Sequence, residues 1–370
     1  MLCLPFATRA WSAGAPPAAP GEGEGRPQLG RGFACALGES ADATLLPPAR
    51  RVGLSLALAL AGSARPAAEQ LRELTGSRDA EWIELSPADR GGVDDGPLAE
   101  RIRTAGNVTL IEGDVLDWLV TLWPARRSSA VLRALAECAL TGGRLIGRGS
   151  TAMLVASGGV VRGATRDTPG EARLRSKNPR ESGEPRLTQG LRLCGDFFVD
   201  TQIRSSGSVL RLLSTLIENH QDLGLYLGQR SVLCGDLETR GWTALGPDPL
   251  IALDVSRSLR RAESISSAHV SVLAAGDGWR ASERRWFCSG ATATFGAAQA
   301  KPVDGDGLLA ANLRAPPLES RTSIDDRARV ELRRAGDSLA FSGPGDAPAR
   351  GQRMILDVEL KRGSWGELGA

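Results

Sequence analysis

Between residues 52 and 147, short apolar runs alternate with segments whose apolar residues are spaced three and four apart. Such runs suit buried strands, and the longer spacing suits amphipathic helices. Strands that alternate with helices predict a parallel sheet with helices on both faces. We therefore predict an α/β fold with a doubly wound, mostly parallel sheet. The predicted strands in this region are Val52–Ala59, Glu81–Leu85, Val108–Ile111 and Arg144–Gly147, and the predicted helices are Pro66–Leu74, Pro97–Thr104 and Ser129–Leu140.

The chain divides into three parts by composition. Residues 1–48 are rich in Gly, Ala and Pro without sustained periodicity, which predicts a disordered or loosely attached N-terminal extension. Residues 52–285 carry the α/β pattern, interrupted over 162–189 by a polar stretch interpreted as a surface loop. For residues 290–370 we predict an irregular, small β-rich C-terminal extension. Its two segments of alternating apolar residues, Ala328–Leu332 and Met354–Leu360, are predicted to form a β-hairpin. After the loop, the predicted elements are Phe197–Val199, Val209–Asn219 (a helix), Gly224–Leu227, Ser231–Cys234, Ile251–Val255 and His269–Leu273.

The first predicted strand has a second interpretation. Arg50 and Arg51 followed by the apolar run Val52–Gly62 resemble the charged and hydrophobic regions of a signal peptide. A buried strand is favoured, because the run begins far from the amino terminus. A cytoplasmic location is accordingly favoured, with export as the alternative.

Composition narrows the classes of partner. The net charge is +2, from 45 basic and 43 acidic residues, so no nucleic-acid partner is predicted. No apolar run is long enough to cross a membrane, so no membrane partner is predicted either. The six cysteines form no C-x-x-C pair and have no histidine at ligand spacing, so we predict no metal and no cofactor. They are interpreted as buried apolar residues in a reducing compartment, with a disulfide as the alternative.

Four segments, in this order, resemble the cyanophycinase/dipeptidase E family of serine peptidases. NVTLIEGD, from Asn107, is similar to the family's strand that ends in G-G-D-Q, and GGRLIGRGSTAM is similar to its nucleophile turn G-x-x-x-G-G-T-S-A-G-A. GLRLCGDFFVDTQI, from Gly190, is similar to G-L-G-L-L-P-x-x-x-x-D-Q-H-F. The resemblance implies a flavodoxin-like, class I glutamine amidotransferase-like sheet over residues 52–285. The four segments are Leu71–Ala88, Asn107–Ser150, Gly190–Ile203 and Leu223–Trp279.

Ser150 occupies the position that matches the family's nucleophile. It follows the predicted strand Arg144–Gly147 and precedes an apolar run, so a strand-to-helix turn is expected to expose its hydroxyl. Gly147 and Gly149 make such a turn sterically possible, although Ala152 stands where the family has glycine. The alternative is that Ser150 only caps a helix, as serine often does.

The other family positions are largely substituted. Gln202 stands in place of the histidine base and Gln229 in place of the acid, and glutamine cannot accept a proton near neutral pH. Asp200 and Arg211 are retained at positions that the resemblance implies bind substrate. Val115 replaces the glutamine of G-G-D-Q, and Ser206 and Ser208 stand where two arginines would be. The two histidines of the chain, His220 and His269, are interpreted as surface or strand-packing residues.

Two functional hypotheses follow from these substitutions. The favoured one is a catalytically impaired peptidase homologue, which keeps the scaffold to bind a peptide or an acidic or basic dipeptide-like ligand, or to assemble into an oligomer. The alternative is an active serine-type hydrolase in which Ser150 uses a rearranged base. Fold by itself does not decide between them.

Overall fold

A computed structural model describes most of the chain between residues 31 and 360. The described residues are 31–86, 93–94, 96–123, 128–161, 186–193, 197–201, 212–213, 215–217, 219–261, 264–280, 285–287, 321–324, 328–341 and 350–360. Gln202, Ser206, Ser208 and Arg211 lie outside them, and so does most of the expected loop over 162–189.

The described strands form two sheets. The first sheet has the order β16-β15-β11-β10-β1-β5-β4-β2-β3, and the second has the order β17-β18-β19-β14-β12-β9-β8-β6-β7, with β13 paired to β14. Strands of the first sheet are β1 Phe33–Leu37, β2 Ser55–Leu60, β3 Glu81–Leu85, β4 Asn107–Leu110, β5 Arg144–Arg148, β10 Val232–Asp236, β11 Gly241–Leu245, β15 Gly278–Arg280 and β16 Arg285–Phe287. Strands of the second are β6 Gly158–Val161, β7 Arg186–Gln189, β8 Phe198–Asp200, β9 Leu223–Leu227, β12 Leu250–Asp254, β13 Leu259–Arg261, β14 Ser264–Leu273, β17 Arg321–Ile324, β18 Ala328–Phe341 and β19 Arg350–Leu360.

Capping residues mark the ends of several helices. The Ser129 hydroxyl accepts the Leu132 backbone N–H at 3.1 Å, and Gly76 ends another helix with a left-handed φ of 75°. Asp114 accepts the Leu116 N–H at 2.7 Å and starts a helix that the sequence analysis missed. The helices are α1 Ala68–Thr75, α2 Gly96–Thr104, α3 Val115–Leu122, α4 Ala130–Leu140 and α5 Ala152–Val155, with 3₁₀ turns at Ala43–Leu45 and Gly149–Thr151.

The main hydrophobic core lies between the first sheet, its helices and the second sheet. Leu56 and Leu58 of β2 belong to it with Trp118 of α3, and so do Met153 of α5 and Leu225 of β9. The alternate residues of β2, Ala57 and Ala59, face a separate cluster with Leu71 of α1. Both faces of the parallel strands are therefore covered, which explains why these strands are continuously apolar.

The mixed α/β architecture is confirmed, but the expected predominance of parallel pairing is wrong for the described strands. β1, β5, β4, β2 and β3 are mutually parallel, as are β6, β8 and β9, whereas the remaining pairings of both sheets are antiparallel and outnumber them. The physical reason is the length of the connections. Four residues join β10 to β11, and a parallel pair needs a crossover of a dozen or more.

The expected N-terminal extension is wrong for residues 33–37. These residues form β1, which lies inside the first sheet between β5 and β10. Their apolar run FACAL is buried from Ala34 to Leu37, and it is too short to show a period within a stretch rich in Gly and Ala. At the other end of the chain, the two alternating segments of residues 328–360 lie in β18 and β19, which pair antiparallel, and β19 continues the second sheet through β14.

We predict that Leu37→Ala lowers the free energy of unfolding by about 3 kcal/mol, because it opens a cavity beside a central strand. Leu37 is fully buried, in a cluster with Ile146 and Val232. Urea denaturation followed by circular dichroism measures the change. Leu45→Ala is the matched control, since this leucine is 46% exposed, and a change within about 0.5 kcal/mol is expected. Equal, small effects of both variants would show that β1 is not part of the sheet.

Candidate functional site

Ser150 lies on a sharp turn at the carboxyl end of β5. The strand ends at Arg148, the turn Gly149–Thr151 follows, and α5 begins directly after it. Gly149 has a φ of 54°, which favours glycine. A Cβ at Gly147 would lie 2.4 Å from the Thr151 carbonyl oxygen, so only glycine lets the helix fold back this closely onto the strand. This is the strand–turn–helix arrangement predicted from the sequence around Ser150.

The Ser150 hydroxyl is bonded to the backbone of the neighbouring strand connection. It donates to the Gly113 carbonyl oxygen at 2.5 Å, and the Gly113 N–H lies 3.3 Å from the same Oγ. No side chain among the described residues bonds to it. The proton of the hydroxyl is therefore directed at a carbonyl, which is not a base.

Ser150 does not cap α5. The N-cap residue of α5 is Thr151, and that cap has no side-chain hydrogen bond to the helix. The Thr151 hydroxyl instead donates to the Leu110 carbonyl at 2.8 Å and accepts the Arg148 N–H at 2.7 Å. The turn is thus held by Ser150 and Thr151 against the end of β4. The helix-cap interpretation of Ser150 is wrong.

Glu112 and Arg148 are two charged residues at this turn that the sequence analysis did not single out. The Glu112 carboxylate lies so close to Gly149 that a Cβ there would be 2.6 Å from its carboxyl carbon. In the segment similar to G-G-D-Q, Glu112 stands at the position of the first glycine. This substitution could have pointed to Glu112 as a residue of the site. Nothing in the sequence pointed to Arg148 as a buried residue of the site, because an arginine inside a strand is rarely buried.

Arg148 is 5% exposed, and its Nη1 has no hydrogen-bond partner among the described residues. Burial lowers the pKa of its guanidinium, and nearby carboxylates, the Glu112 carboxylate first, oppose that decrease. The other carboxylates that act on Arg148 are Asp42, Glu73 and Glu39. The edge of the sheet beside Ser150 therefore combines one buried cation with several carboxylates.

Gln229 lies in the turn between β9 and β10, and its side chain is exposed. Its carbonyl accepts the Ser40 N–H at 2.8 Å, just beyond the carboxyl end of β1. Since Leu37 of β1 pairs with Arg148 of β5, Gln229 and Ser150 lie at the same edge of the first sheet. Their side chains make no hydrogen bond with each other. Gln202 stands in place of the base and is expected from the resemblance to lie near Ser150, but it lies outside the described residues, so this stays a prediction.

Two further positions implied by the resemblance are described. Asp200 is fully buried at the end of β8, opposite Tyr226 of β9. Val115 is buried in the main core as the first residue of α3, so it packs rather than lining an open site. Arg211, the second expected substrate-binding residue, lies outside the described residues.

Both histidines lie at the amino end of β9. His220 precedes this strand by three residues, and His269 of β14 pairs with Asp254, which in turn pairs with Leu223, the first residue of β9. Gln229 follows the other end of the strand. The five residues of β9 separate the two ends by roughly 15 Å. The histidines are therefore on the side of the strand away from Ser150.

Among the described residues, no three His, Cys, Asp or Glu side chains form a group that could hold a metal ion. No helix in the described part of the chain is long and apolar enough to cross a bilayer.

We predict that Gly147→Ala lowers the free energy of unfolding by at least about 3 kcal/mol, because the added methyl group meets backbone atoms of Thr151 and Ala152 that cannot move independently. Thermal and urea unfolding measure the loss. Gly96→Ala is the matched control, since a Cβ there has no neighbour within 4 Å and alanine suits a helix better than glycine. The control should be neutral or stabilising, and a tolerated Gly147→Ala would contradict the tight turn.

Comparisons with known proteins leave the family open. No protein-family model matches the chain, and no curated protein matches it. The crystal structure of a peptidase from an acI-B1 Actinobacterium is similar to it with a TM-score of 0.44 and 15% sequence identity, covering 68% of this chain and 98% of that one. A similarity of this size transfers no activity to the present protein.

Proposed function

We propose that this protein is a catalytically impaired homologue of the cyanophycinase/dipeptidase E peptidases, which binds a peptide-like ligand at the edge of the sheet around Ser150 without hydrolysing it. The proposal extends to a flavodoxin-like origin of the first sheet, which the neighbouring order β3-β2-β4-β5 supports. In open α/β sheets of this kind, ligands bind outside the carboxyl ends of the strands.

The observation that carries the proposal is the position of the two histidines. A serine hydroxyl is a weak nucleophile unless a base takes its proton. His220 and His269 lie beside the amino end of β9, whereas Ser150 and Gln229 lie beyond the carboxyl ends of β5 and β9. The chain has no third histidine. No imidazole is therefore available to Ser150 in this arrangement.

The Ser150 hydrogen bond supports the same conclusion. Its hydroxyl donates to the Gly113 carbonyl and so ties the turn after β5 to the segment after β4. A catalytic serine instead directs its proton at a base. In this proposal Ser150 is a structural link.

The charges at the edge suit a ligand with a cationic group. Glu39, Asp42, Glu73 and Glu112 have exposed side chains and act electrostatically on the buried Arg148. Carboxylates at such an edge attract ammonium or guanidinium groups by their charge. The basic end of a dipeptide-like ligand is therefore the part that this edge would recognise.

One specific observation favours an active enzyme as the second candidate. The Glu112 carboxylate lies against Gly149, the residue before Ser150, and a carboxylate is able to act as a general base. In this candidate the Ser150 hydroxyl would turn from Gly113 to Glu112. The two candidates differ in whether Ser150 and Glu112 are needed for turnover.

We predict that the protein does not hydrolyse Asp-Xaa dipeptides or an aspartyl-arginine polymer, and that a fluorophosphonate probe does not label Ser150, because the unassisted hydroxyl stays protonated at neutral pH. Chromatography of the products and mass spectrometry of the labelled protein measure the two reactions. Titration calorimetry with the same dipeptides measures binding without turnover.

Ser150→Ala and Glu112→Gln are the controls for this experiment. Turnover that Ser150→Ala abolishes would overturn the impaired-homologue proposal. If Glu112→Gln abolishes it as well, the second candidate is supported. Absence of both turnover and binding would exclude these peptides as ligands. A scaffold role would then be the remaining part of the proposal.

We predict that Ser150→Ala also lowers the free energy of unfolding by about 1 kcal/mol, because it removes the hydrogen bond to Gly113. Urea denaturation measures the difference. Ser40→Ala is the control, since Ser40 is exposed and only its backbone N–H bonds to Gln229. A Ser150→Ala variant as stable as the original protein, or more stable, would contradict the structural role and favour a strained catalytic serine.

A further inference from the structure

Cys35 and Cys234 face each other directly across two neighbouring strands. Cys35 of β1 pairs with Cys234 of β10, and their Sγ atoms are 3.3 Å apart. Both thiols are reduced and buried, with exposed fractions of 0% and 6%. They come from positions 199 residues apart in the chain. The contact is therefore a product of the fold alone.

The type of strand pairing brings these two residues especially close. Gly38 and Gly32 hydrogen-bond to Ser231 and Leu237 of the β10 side, whereas Phe33 bonds to Gly143 on the β5 side. Along β1 these directions alternate, so Cys35 belongs to the set that faces β5. Its pair with Cys234 is thus a non-hydrogen-bonded pair, in which the Cα atoms are about 4.5 Å apart. This separation falls within the range that a disulfide spans.

A buried cation lies near both sulfur atoms. Arg144 of β5 is 7% exposed, and it interacts electrostatically with Cys35 and Cys234. Its Nε donates to the Asn107 Oδ1 at 3.0 Å and its Nη1 donates to the Pro47 carbonyl at 2.6 Å, which holds the guanidinium in place. The guanidinium is therefore fixed where it can stabilise negative charge that develops on sulfur during a reaction.

Cys138 is a buried thiol that also lies beside a guanidinium, with Arg51 Nη2 3.5 Å from its Sγ, but it differs from the pair in having no cysteine opposite it among the described residues. It is fully buried, and its Sγ donates to the Ala105 carbonyl at 3.3 Å. Burial raises the pKa of its thiol to about 11, although the neighbouring Arg51 opposes the increase.

We propose that Cys35 and Cys234 form a reversible oxidation site, at which a hydroperoxide closes a disulfide between β1 and β10. This site is separate from the proposed peptide-binding edge and does not depend on it. A small oxidant is required, because both thiols are buried in a cluster with Ala41, Ala43 and Leu46.

The chemistry balances with hydrogen peroxide as the two-electron oxidant. One thiolate attacks a peroxide oxygen, the O–O bond breaks, and the departing hydroxide takes up the released thiol proton as water. The sulfenic acid that remains is attacked by the second sulfur, the S–O bond breaks, and the hydroxyl leaves with the second thiol proton as another water. Two thiols and one peroxide thus give one disulfide and two waters. A dithiol such as dithiothreitol reverses the step by thiol–disulfide exchange.

The experiment treats the full-length protein with hydrogen peroxide, blocks the remaining thiols in denaturant and maps the linked peptides by mass spectrometry. We expect one linked pair that contains Cys35 and Cys234. We also expect a rise in Tm of about 5 °C, because the link closes a long loop of the unfolded chain, and dithiothreitol should reverse it. Cys35→Ala and Cys234→Ala should each abolish both effects, and Cys138→Ala, another buried thiol, should retain both.

Two results would overturn the proposal. One is recovery of Cys35 and Cys234 as separately blocked thiols from the peroxide-treated protein. The other is their linkage to Cys3, Cys194 or Cys288 instead of to each other. Peptide mapping of the unaltered protein decides the question even if an alanine variant fails to fold.

Discussion

The pairing of β1 with β5 on one side and β10 on the other is the interaction on which the architecture depends. β1 is the strand where the parallel half of the first sheet meets its antiparallel half. Its backbone groups bond alternately to the two neighbouring strands. Without β1, both β5 and β10 would therefore lose backbone hydrogen bonds along one side. The same strand carries the residues that pack the small core with Ile146 and Val232. It also ends beside Gln229, at the edge where Ser150 lies.

The turn after β5 shows how backbone constraints position a side chain. Gly147 allows α5 to fold back onto the strand, and Thr151 and Ser150 bond to the end of β4 and to Gly113. The result is a rigid strand–turn–helix unit of the kind that serine hydrolases use to present a nucleophile. Here the same rigidity holds the hydroxyl against a carbonyl. Among the described residues, the Ser150 hydroxyl thus bonds to a backbone carbonyl and to no side chain.

Buried arginines define the face of β5 that lies away from α5. Arg144 and Arg148 flank Ile146, and each is less than a tenth exposed. A buried cation is costly unless hydrogen bonds or opposite charges compensate it. Arg144 is compensated by Asn107 and a backbone carbonyl, and Arg148 by nearby carboxylates. The two arginines thus create different environments at opposite ends of one strand, one beside the cysteine pair and one beside Ser150.

The sequence by itself determined the features that depend on neighbouring residues. Periodicity and capping predicted β2 to β5 and most of α1, α2 and α4, because these signals act within a few residues. The turn at Ser150 was expected from the family resemblance and the predicted strand before it. The tertiary structure alone decided the insertion of β1, the contact of Cys35 with Cys234, the carboxylate of Glu112 over Gly149 and the position of both histidines away from Ser150. These features join segments that are distant in the chain, and local periodicity contains no information on which distant strand becomes a neighbour. The turn that carries Ser150 could therefore be predicted from the sequence. The charged groups and histidines around it could not, because their positions depend on long-range strand pairing.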